Sequence, residues 1–389
     1  MVVTNLTYGG AETQVVRLAS EFKSRNWQVC VASMVGPDAF VGQLEKQGIH
    51  VHALAMRRGL PDPRAIARLR ALIKSFSPDL VHCHMFHANI LGRVTRLFCR
   101  MPALICTIHN LRETSERGGP TGYKEFLYRL TDRLANRTTI ICRAAFDRYV
   151  RVGAVPRNRL HLIPNGVDTD VFSPSRELRL STRKSLGVDA KFVWLAVGRL
   201  VSQKDYPTLF RALTLLDHKR FVVLIAGNGP LELELRDECA RLGLGACVQF
   251  CGAREDMLPL YNAADAFVMS SEFEGLSVAL LEAASMGLPA VVTNTGGNAE
   301  IVQDGATGHV IPPGNHTALS QAMQQLMTIP GGHRKAMGEA ARQYCTQHYA
   351  TTSVVNQWRE LYAGCLPSKQ FQNPLPRLVP NAKPSHVEE

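Results

Sequence analysis

The chain has 389 residues, too many for one ordinary hydrophobic core, and two domains are expected. Its 46% hydrophobic and 20% charged residues are those of a globular protein, and no apolar stretch approaches the ~20 residues of a membrane-spanning helix. The net charge of +11 is uneven: residues 1–164 carry 24 Lys+Arg against 11 Asp+Glu and the remainder 20 against 22, so a polyanionic partner belongs to the first half.

The opening Met1-Val2-Val3-Thr4-Asn5-Leu6 has no basic segment ahead of an apolar core, so a secretory signal is not expected. Val2 to Asn5 reads as a strand. Gln28 to Met34, His50 to Leu54, Leu80 to His82, Ala103 to His109 and Thr138 to Cys142 follow, alternating with amphipathic stretches. Two of those stretches are basic. Arg64, Arg68, Arg70 and Lys74 flank an apolar face of Ile66, Leu69, Leu72, Ile73 and Phe76, while Arg93, Arg96 and Arg100 line one side of a helix beginning near Ala88. Such helices suit an anionic lipid surface, and equally a solvated basic face. Nucleic acid is not expected as the polyanion, because no binding motif and no basic run interleaved with aromatics is present.

The segment His82-Cys83-His84-Met85-Phe86-His87 superficially resembles a metal cluster. Alternate residues of a strand face opposite sides and no carboxylate set matches them, so no metal site is expected. The loop from Leu111 to Tyr123, with Arg112 and Arg117, is expected to contact an acceptor or a membrane. The ten cysteines form no C-x-x-C pair, and Cys30, Cys106 and Cys142 sit in apolar runs. They read as buried free thiols of a reducing, cytoplasmic compartment.

A break comes at Leu162-Ile163-Pro164-Asn165-Gly166-Val167-Asp168, where proline and Asn-Gly end a strand in a turn, and the hinge is placed there. The second series runs Phe192 to Val197, Phe221 to Ala226, Val248 to Cys251, Ala266 to Met269, Ala290 to Thr293 and Gly308 to Ile311. Continuous Val/Ile/Leu runs, without strict alternation, mark parallel strands covered on both faces. Two doubly wound α/β domains follow, with ligands held beyond the carboxyl ends of the strands in the cleft between them. Domain limits of 1–164 and 165–340 are expected. Helices over 341–365, with Tyr349, Val354, Val355, Trp358, Leu361 and Tyr362, then cross the hinge, and a proline-rich disordered tail occupies 366–389.

Polar groups gather at the predicted strand ends. Gly9 and Gly10 let the backbone approach a phosphate or sugar where a helix begins, though they are not a dinucleotide fingerprint. Gly198, Arg199 and Lys204 follow the first strand of the second domain, and the two cations suit a diphosphate. Gly227, Asn228 and Gly229 form the next strand-to-helix turn, and Thr295-Gly296-Gly297-Asn298-Ala299-Glu300 a later one; turn geometry accounts for these glycines nearly as well as a ligand does.

Glu274 and Glu282, in S-E-F-E-G-L-S-V-A-L-L-E-A, carry the most information. Eight positions on a helix advance about 800°, which leaves both carboxylates on one side about two turns apart. Gly275, Leu276 and Ser277 between them would supply the free amides of a helix start, a phosphate site. Carboxylates accept hydrogen bonds from sugar or ribose hydroxyls, so a polyhydroxylated nucleotide is the indicated ligand. Taken singly, the two glutamates also read as a helix-start charge and a solvated helix residue.

Taken in order, G-G-A-E at Gly9, P-N-G-V-D at Pro164, G-R-L-x-x-Q-K-D at Gly198, A-G-x-G-P at Ala226, E-F-E-G-L-S-x-x-L-L-E-A at Glu272 and T-x-x-G-G-N-x-E at Thr293 form a set. That set resembles the family 4 retaining glycosyltransferases. The resemblance implies the GT-B architecture, two facing Rossmann-like domains with a nucleotide-sugar donor held mainly by the second, retention of anomeric configuration and no obligatory metal. It implies that Glu274 holds donor sugar hydroxyls, Glu282 the ribose hydroxyls, and Arg199 and Lys204 the diphosphate, assisted by the amides of Leu276 and Ser277. His109 resembles a histidine near the sugar, His84 a residue lining the cleft, and Gly10 a glycine beside the donor phosphate. The first strand is shorter than the family's.

The expected function is transfer of a sugar from a nucleotide-diphosphate donor to a hydroxyl of a glycan or lipid-linked glycan, with the basic first domain on the anionic inner face of the membrane. A sugar-nucleotide epimerase or hydrolase on the same architecture, and a non-catalytic scaffold, are the alternatives. The residues do not distinguish uridine, guanosine and adenosine donors.

Overall fold

The computed structural model describes residues 1–36, 39–57, 62–111 and 122–366. Two parallel sheets form its frame. The first contains β1 (Val2–Val3), β2 (Cys30–Ser33), β3 (His50–Ala53), β4 (Leu80–His84), β5 (Ala103–Ile108), β6 (Arg137–Ile140) and β7 (Leu160–Leu162), in the order β3-β2-β1-β4-β5-β6-β7. The second contains β8 (Phe192–Val197), β9 (Phe221–Ala226), β10 (Val248–Gly252), β11 (Ala266–Met269), β12 (Ala290–Thr293) and β13 (Gly308–Ile311), in the order β10-β9-β8-β11-β12-β13. All six residues of β5 and of β9 are buried, as a parallel strand covered by helices on both faces requires. In each sheet the order reverses beside the first strand, and the loops after β1 and β8 therefore open at the switch point where such sheets bind ligands.

Around the first sheet lie α1 (Gly10–Ser24), α2 (Val41–Lys46), α3 (Arg64–Phe76), α4 (Phe86–Thr95), α5 (Gly122–Thr131) and α6 (Arg143–Arg151). Around the second lie α7 (Arg176–Leu186), α8 (Tyr206–Leu213), α9 (Glu232–Arg241), α10 (Leu258–Ala263), α11 (Val278–Ser285), α12 (Asn298–Ile301), α13 (His316–Thr328) and α14 (Gly331–Tyr349). The expected boundary at 340 falls inside α14. At Ala350 the chain crosses back, and α15 (Thr351–Ala363) packs Val354, Val355, Trp358 and Tyr362 against Leu18, Phe22, Ile105 and Ile163 of the first domain. The crossing is pinned at the hinge: the Val167 amide donates to the Tyr349 carbonyl and the Thr351 amide to the Val167 carbonyl, each at 2.9 Å.

Three features differ from the sequence expectations. Glu274 does not lie on a helix. The helix starts at Val278, because the Ser277 hydroxyl accepts from the Leu280 amide and caps it there, so residues 274–276 are loop and the azimuth argument does not apply to Glu274. Arg93 is wholly buried, its guanidinium donating to Thr138 Oγ1 at 2.7 Å and lying 3.5 Å from Asp132, while Arg100 lies beyond the helix. The basic stripe of α4 is therefore no lipid-facing surface. On α3, Leu69 and Ile73 are buried in the first core, and Arg64 and Arg68 pair with Asp62.

The centre of the first sheet is short, as expected. Only Val2 and Val3 pair with β2 and β4 before Asn5 Oδ1 accepts from the Thr7 amide and hydroxyl and turns the chain towards α1. No helix among the described residues is long and apolar enough to cross a membrane. The loop at 112–121 and the tail from 367 lie outside the described residues.

Candidate active site

The cleft is built where the two sheets present their carboxyl ends. From the second domain, the loop after β11 buries the Glu274 carboxylate, which receives Lys204 Nζ at 2.5 Å and the Ser271 hydroxyl at 2.6 Å. Lys204 comes from a short 3-10 turn after β8 and lays its stem over Gly198, where a Cβ would sit 2.9 Å from Lys204 Cε. Gly198 thus makes room for the ammonium. Arg199, the next residue, is exposed at the mouth of the cleft, and its charge acts on Glu12 of α1 across the gap. Desolvation dominates at Glu12 and raises its carboxyl above the ordinary range.

Glu282, on α11, is held from both domains. Arg17 Nη2 of α1 lies 2.5 Å from Oε1, and the Tyr261 hydroxyl donates to Oε2 at 2.9 Å. Burial first, then the Glu282 charge, keeps the Tyr261 hydroxyl well above its usual range, so it remains a donor. The start of α1 abuts the start of α11: a Cβ on Gly10 would meet Val278 Cγ2 at 3.4 Å. Two helix amino ends, with their unpaired amides and positive partial charge, thereby converge beside the two glutamates. Gly9 is the extended residue before α1, and a Cβ there would strike the Glu12 carboxylate at 2.4 Å.

His109 closes the site from the first domain, at the end of β5. Its Nε2 lies 3.1 Å from His84 Nδ1, and its Nδ1 has no partner among the described residues. Burial lowers His109 to about 4, so the ring is neutral near pH 7. The His109 carbonyl would lie 2.2 Å from a Cβ at Gly275, so this glycine is where the backbones of the two domains touch. The neighbouring Leu276 carbonyl accepts from Asn165 of the hinge at 2.8 Å. His82 takes part in structure: its ring nitrogens contact the Tyr362 hydroxyl and Thr107 Oγ1, both at 2.6 Å. Among the described residues no group of histidine, cysteine and carboxylate side chains could hold a metal ion.

The structure thus brings Glu274, Lys204, Glu282, Gly10, Gly275, Ser277 and His109 to one cleft. Gly227 and Gly229 have a different part. A Cβ on Gly227, whose φ is 143°, would lie 2.1 Å from the Gly198 carbonyl, and one on Gly229 would lie 2.3 Å from the Leu200 carbonyl. These glycines let the loops after β8 and β9 zip together, which the Leu200 amide completes by donating to Asn228 at 2.9 Å. The Asn228 side chain itself is exposed. Glu300, in the last glycine loop, accepts the amides of Arg143 and Ala144 at the start of α6, another contact between the domains.

Arg17, Tyr261 and Ser271 escaped the sequence reading, as did Gln14, whose amide donates to the Gly166 carbonyl at 2.7 Å. Gln14 and Arg17 lie four and seven positions after Gly10, on one face of α1, so a polar face beneath the Gly-Gly start was the available signal. Tyr261 carried none, because α10 that presents it is only six residues long and mostly buried.

Residues 8–171 match the model of Glycosyltransferase Family 4 and residues 179–344 that of Glycosyl transferases group 1. The chain is 29% identical over 263 residues, 65% of its length and 67% of the relative's, to the Escherichia coli UDP-Gal:alpha-D-GlcNAc-diphosphoundecaprenol alpha-1,3-galactosyltransferase. It is 30% identical over 247 residues, covering 61% and 64% of the two chains, to a GDP-mannose-dependent alpha-(1-6)-phosphatidylinositol monomannoside mannosyltransferase of Mycolicibacterium smegmatis. In fold it is similar to Anabaena Alr3699/HepE in complex with UDP-glucose, with a TM-score of 0.82 at 22% identity over 93% of this chain and 98% of that one. The chain is a glycosyltransferase of GT-B-like fold, related to the family 4 and group 1 glycosyltransferases, that transfers a sugar from a nucleotide-diphosphate donor to an acceptor.

Proposed function

We propose that this transfer retains the anomeric configuration, needs no metal ion, and uses the cleft groups as follows. The observation that carries the reading is the buried Lys204–Glu274 pair, its glutamate in the loop whose Gly275 touches the His109 carbonyl and which leads to the α11 amino end abutting that of α1. Glu274 accepts hydroxyls of the donor sugar and Glu282 those of the ribose. Lys204, Arg199 and the amides of Leu276 and Ser277 stabilise the diphosphate as it leaves. Neutral His109 offers its Nδ1 side to a sugar hydroxyl, and Gly10 leaves room for the phosphate.

The bond from the anomeric carbon to the phosphate oxygen breaks first. The acceptor oxygen then attacks the oxocarbenium-like centre on the same face, and the departing phosphate oxygen takes the acceptor proton, so no strong protein base is required. The protein's work is positioning and leaving-group stabilisation. We assign a lipid-linked glycan as acceptor, in keeping with the diphosphoundecaprenol and phosphatidylinositol acceptors in the names of two similar proteins, and an anionic membrane surface as the partner of the basic first domain. Those names give uridine and guanosine donors respectively, so the base is left to experiment.

The test is thermal stabilisation by UDP-, GDP- and ADP-sugars of the wild type, Glu282→Gln and Lys204→Ala. Occupancy at about 100 times Kd adds ~2.7 kcal/mol, a readable shift. Stabilisation by one base series, lost in both variants, supports the site. No stabilisation of the folded wild type by any donor would refute it. Nuclear magnetic resonance of the first-formed product reads the anomeric configuration directly, and inversion there would end the retention proposal.

A further inference from the structure

The contact between Arg17 and Glu282 joins the two domains inside the cleft. Arg17 Nη2 lies 2.5 Å from Glu282 Oε1, while the Tyr261 hydroxyl donates to Oε2 at 2.9 Å. Both side chains of the ion pair are almost covered, at 17% exposure for Arg17 and 11% for Glu282. Arg17 is itself fixed at two further points: its Nη1 donates to the Gly166 carbonyl at 3.2 Å, and its guanidinium lies over the Phe172 ring, 5.4 Å from the centroid.

The partners of Arg17 are anchored in turn. Gln14, a neighbour on the same face of α1, donates to the Gly166 carbonyl at 2.7 Å and accepts from the Gly166 amide at 2.9 Å, which ties that face to the segment between β7 and α7. Phe172, in the same segment, meets the Tyr261 ring edge-on with centroids 5.8 Å apart. One aromatic ring therefore braces both groups that hold the carboxylate.

An ionised carboxylate has about four acceptor positions, and Arg17 and Tyr261 use one on each oxygen. A position on each oxygen remains, which is what two hydroxyls on adjacent carbons require. A bond from a guanidinium is charge-assisted and stronger than one from a neutral hydroxyl, so a bound diol adds to Arg17 and does not displace it. Without the guanidinium, Tyr261 alone would hold a buried charge at one oxygen. The terminal torsion of glutamate is broad, and the carboxylate plane would then be free to turn.

We propose that Arg17 is a positioning residue for the nucleotide: it fixes the Glu282 carboxylate in the plane that takes both ribose hydroxyls, so that a contact between the domains selects ribonucleotides over 2′-deoxyribonucleotides. The inference rests on the assignment of the ribose hydroxyls to Glu282 and adds the residue that orients it. Arg17 stands on the first domain and Glu282 on the second. Recognition of the ribose is therefore complete only while α1 rests on the hinge segment.

The test is calorimetric titration of the full-length protein with UDP, GDP and ADP and with their 2′-deoxy counterparts, in the wild type, Arg17→Met, Arg17→Lys and Glu282→Gln. In the base series that binds, the wild type should prefer the ribose form about tenfold or more, the worth of a hydrogen bond to a charged group. Arg17→Met should bring that ratio close to one by weakening the ribose form alone, and Arg17→Lys, which keeps the charge and loses the fork, should restore part of it. A helix merely displaced would weaken both forms equally. Equal weakening in Arg17→Met, with the preference abolished in Glu282→Gln, therefore overturns the positioning role and leaves the ribose assignment standing. No preference in the wild type, or one that survives Glu282→Gln, overturns the ribose assignment and the inference with it. Tighter binding of the ribose form by Arg17→Met would make the guanidinium a block on Glu282 and overturns the inference alone. Where Arg17→Met does not fold, Arg17→Gln, which keeps a donor for the Gly166 carbonyl, is read in its place. Absence of binding by the folded wild type to any of these nucleotides overturns the reading of the cleft itself.

Discussion

Lys204 and Glu274 are each buried by the other's presence, at 16% and 7% side-chain exposure, and a charge left alone there is poorly compensated. Lys204→Met should therefore destabilise the fold by about 3 kcal/mol in urea unfolding, and adding Glu274→Gln should return much of that loss. Equal stability of wild type and single variant would show that solvent already screens the pair. His109 acts through pH. Its value falls from 6.5 to about 4 on burial, so between those values the unfolded chain binds more protons than the folded one. Stability is full above 6.5, declines as pH falls through the window, and has lost this contribution below about 4, at about 1.4 kcal/mol per pH unit for one histidine. His82 and His84, both pushed well below their usual value chiefly by burial, add to the same slope. Urea titrations from neutral to acidic pH should show it, and His109→Gln should make it shallower.

At the scale of elements, the site is a set of loop ends brought into register by glycine. Gly275 belongs to the loop between β11 and α11, and its missing Cβ lets that loop lie on the end of β5 at the His109 carbonyl. Gly275→Ala must push the two apart, and a displacement near 1 Å at reacting groups lowers turnover on the order of 100-fold. The expected signature is a large fall in kcat with the circular dichroism spectrum unchanged. A variant with wild-type kcat would show that the cleft tolerates that opening. The glycines after β9 are of another kind: they hold one loop of the second domain to its neighbour, so their replacement should be read first in stability.

The whole molecule is two sheets tied by one returning helix. Through α15 the chain packs back into the first domain, where Trp358 is 5% exposed among Phe22, Trp27 and Tyr362. Trp358→Ala should cost about 3–5 kcal/mol from lost burial and the cavity left behind. Denaturant unfolding followed separately by first- and second-domain probes would show the first domain losing stability more than the second; an equal loss would mean that the two domains unfold as one unit. Arg17–Glu282, Asn165–Leu276 and Glu300 on the start of α6 also join the domains, so the cleft groups of the second domain are held partly from the first.

The strands of the second domain were legible because a parallel strand covered on both faces must be a continuous apolar run, and β8, β9, β11, β12 and β13 fall on the residues that such runs mark. Loop glycines, the Asn-Gly break after β7 and the block around Glu274 were legible for a similar reason: turn and cap chemistry acts over a few residues. The start of α11 was misread because a serine cap and a glutamate three residues earlier both look like a helix beginning, and only the Ser277 hydroxyl on the Leu280 amide separates them. Arg93 read as a surface charge since nothing local announces a pocket made by Tyr128, Asp132 and Thr138. Arg17 stands 265 residues from Glu282, and no short-range rule couples them. The sequence by itself determined the sheets and the chemical types gathered at the strand ends, because these follow from local periodicity and backbone sterics. Tertiary structure alone decided which charges pair, which are buried, and which glycines separate domains and which join loops, because each depends on packing between segments distant along the chain.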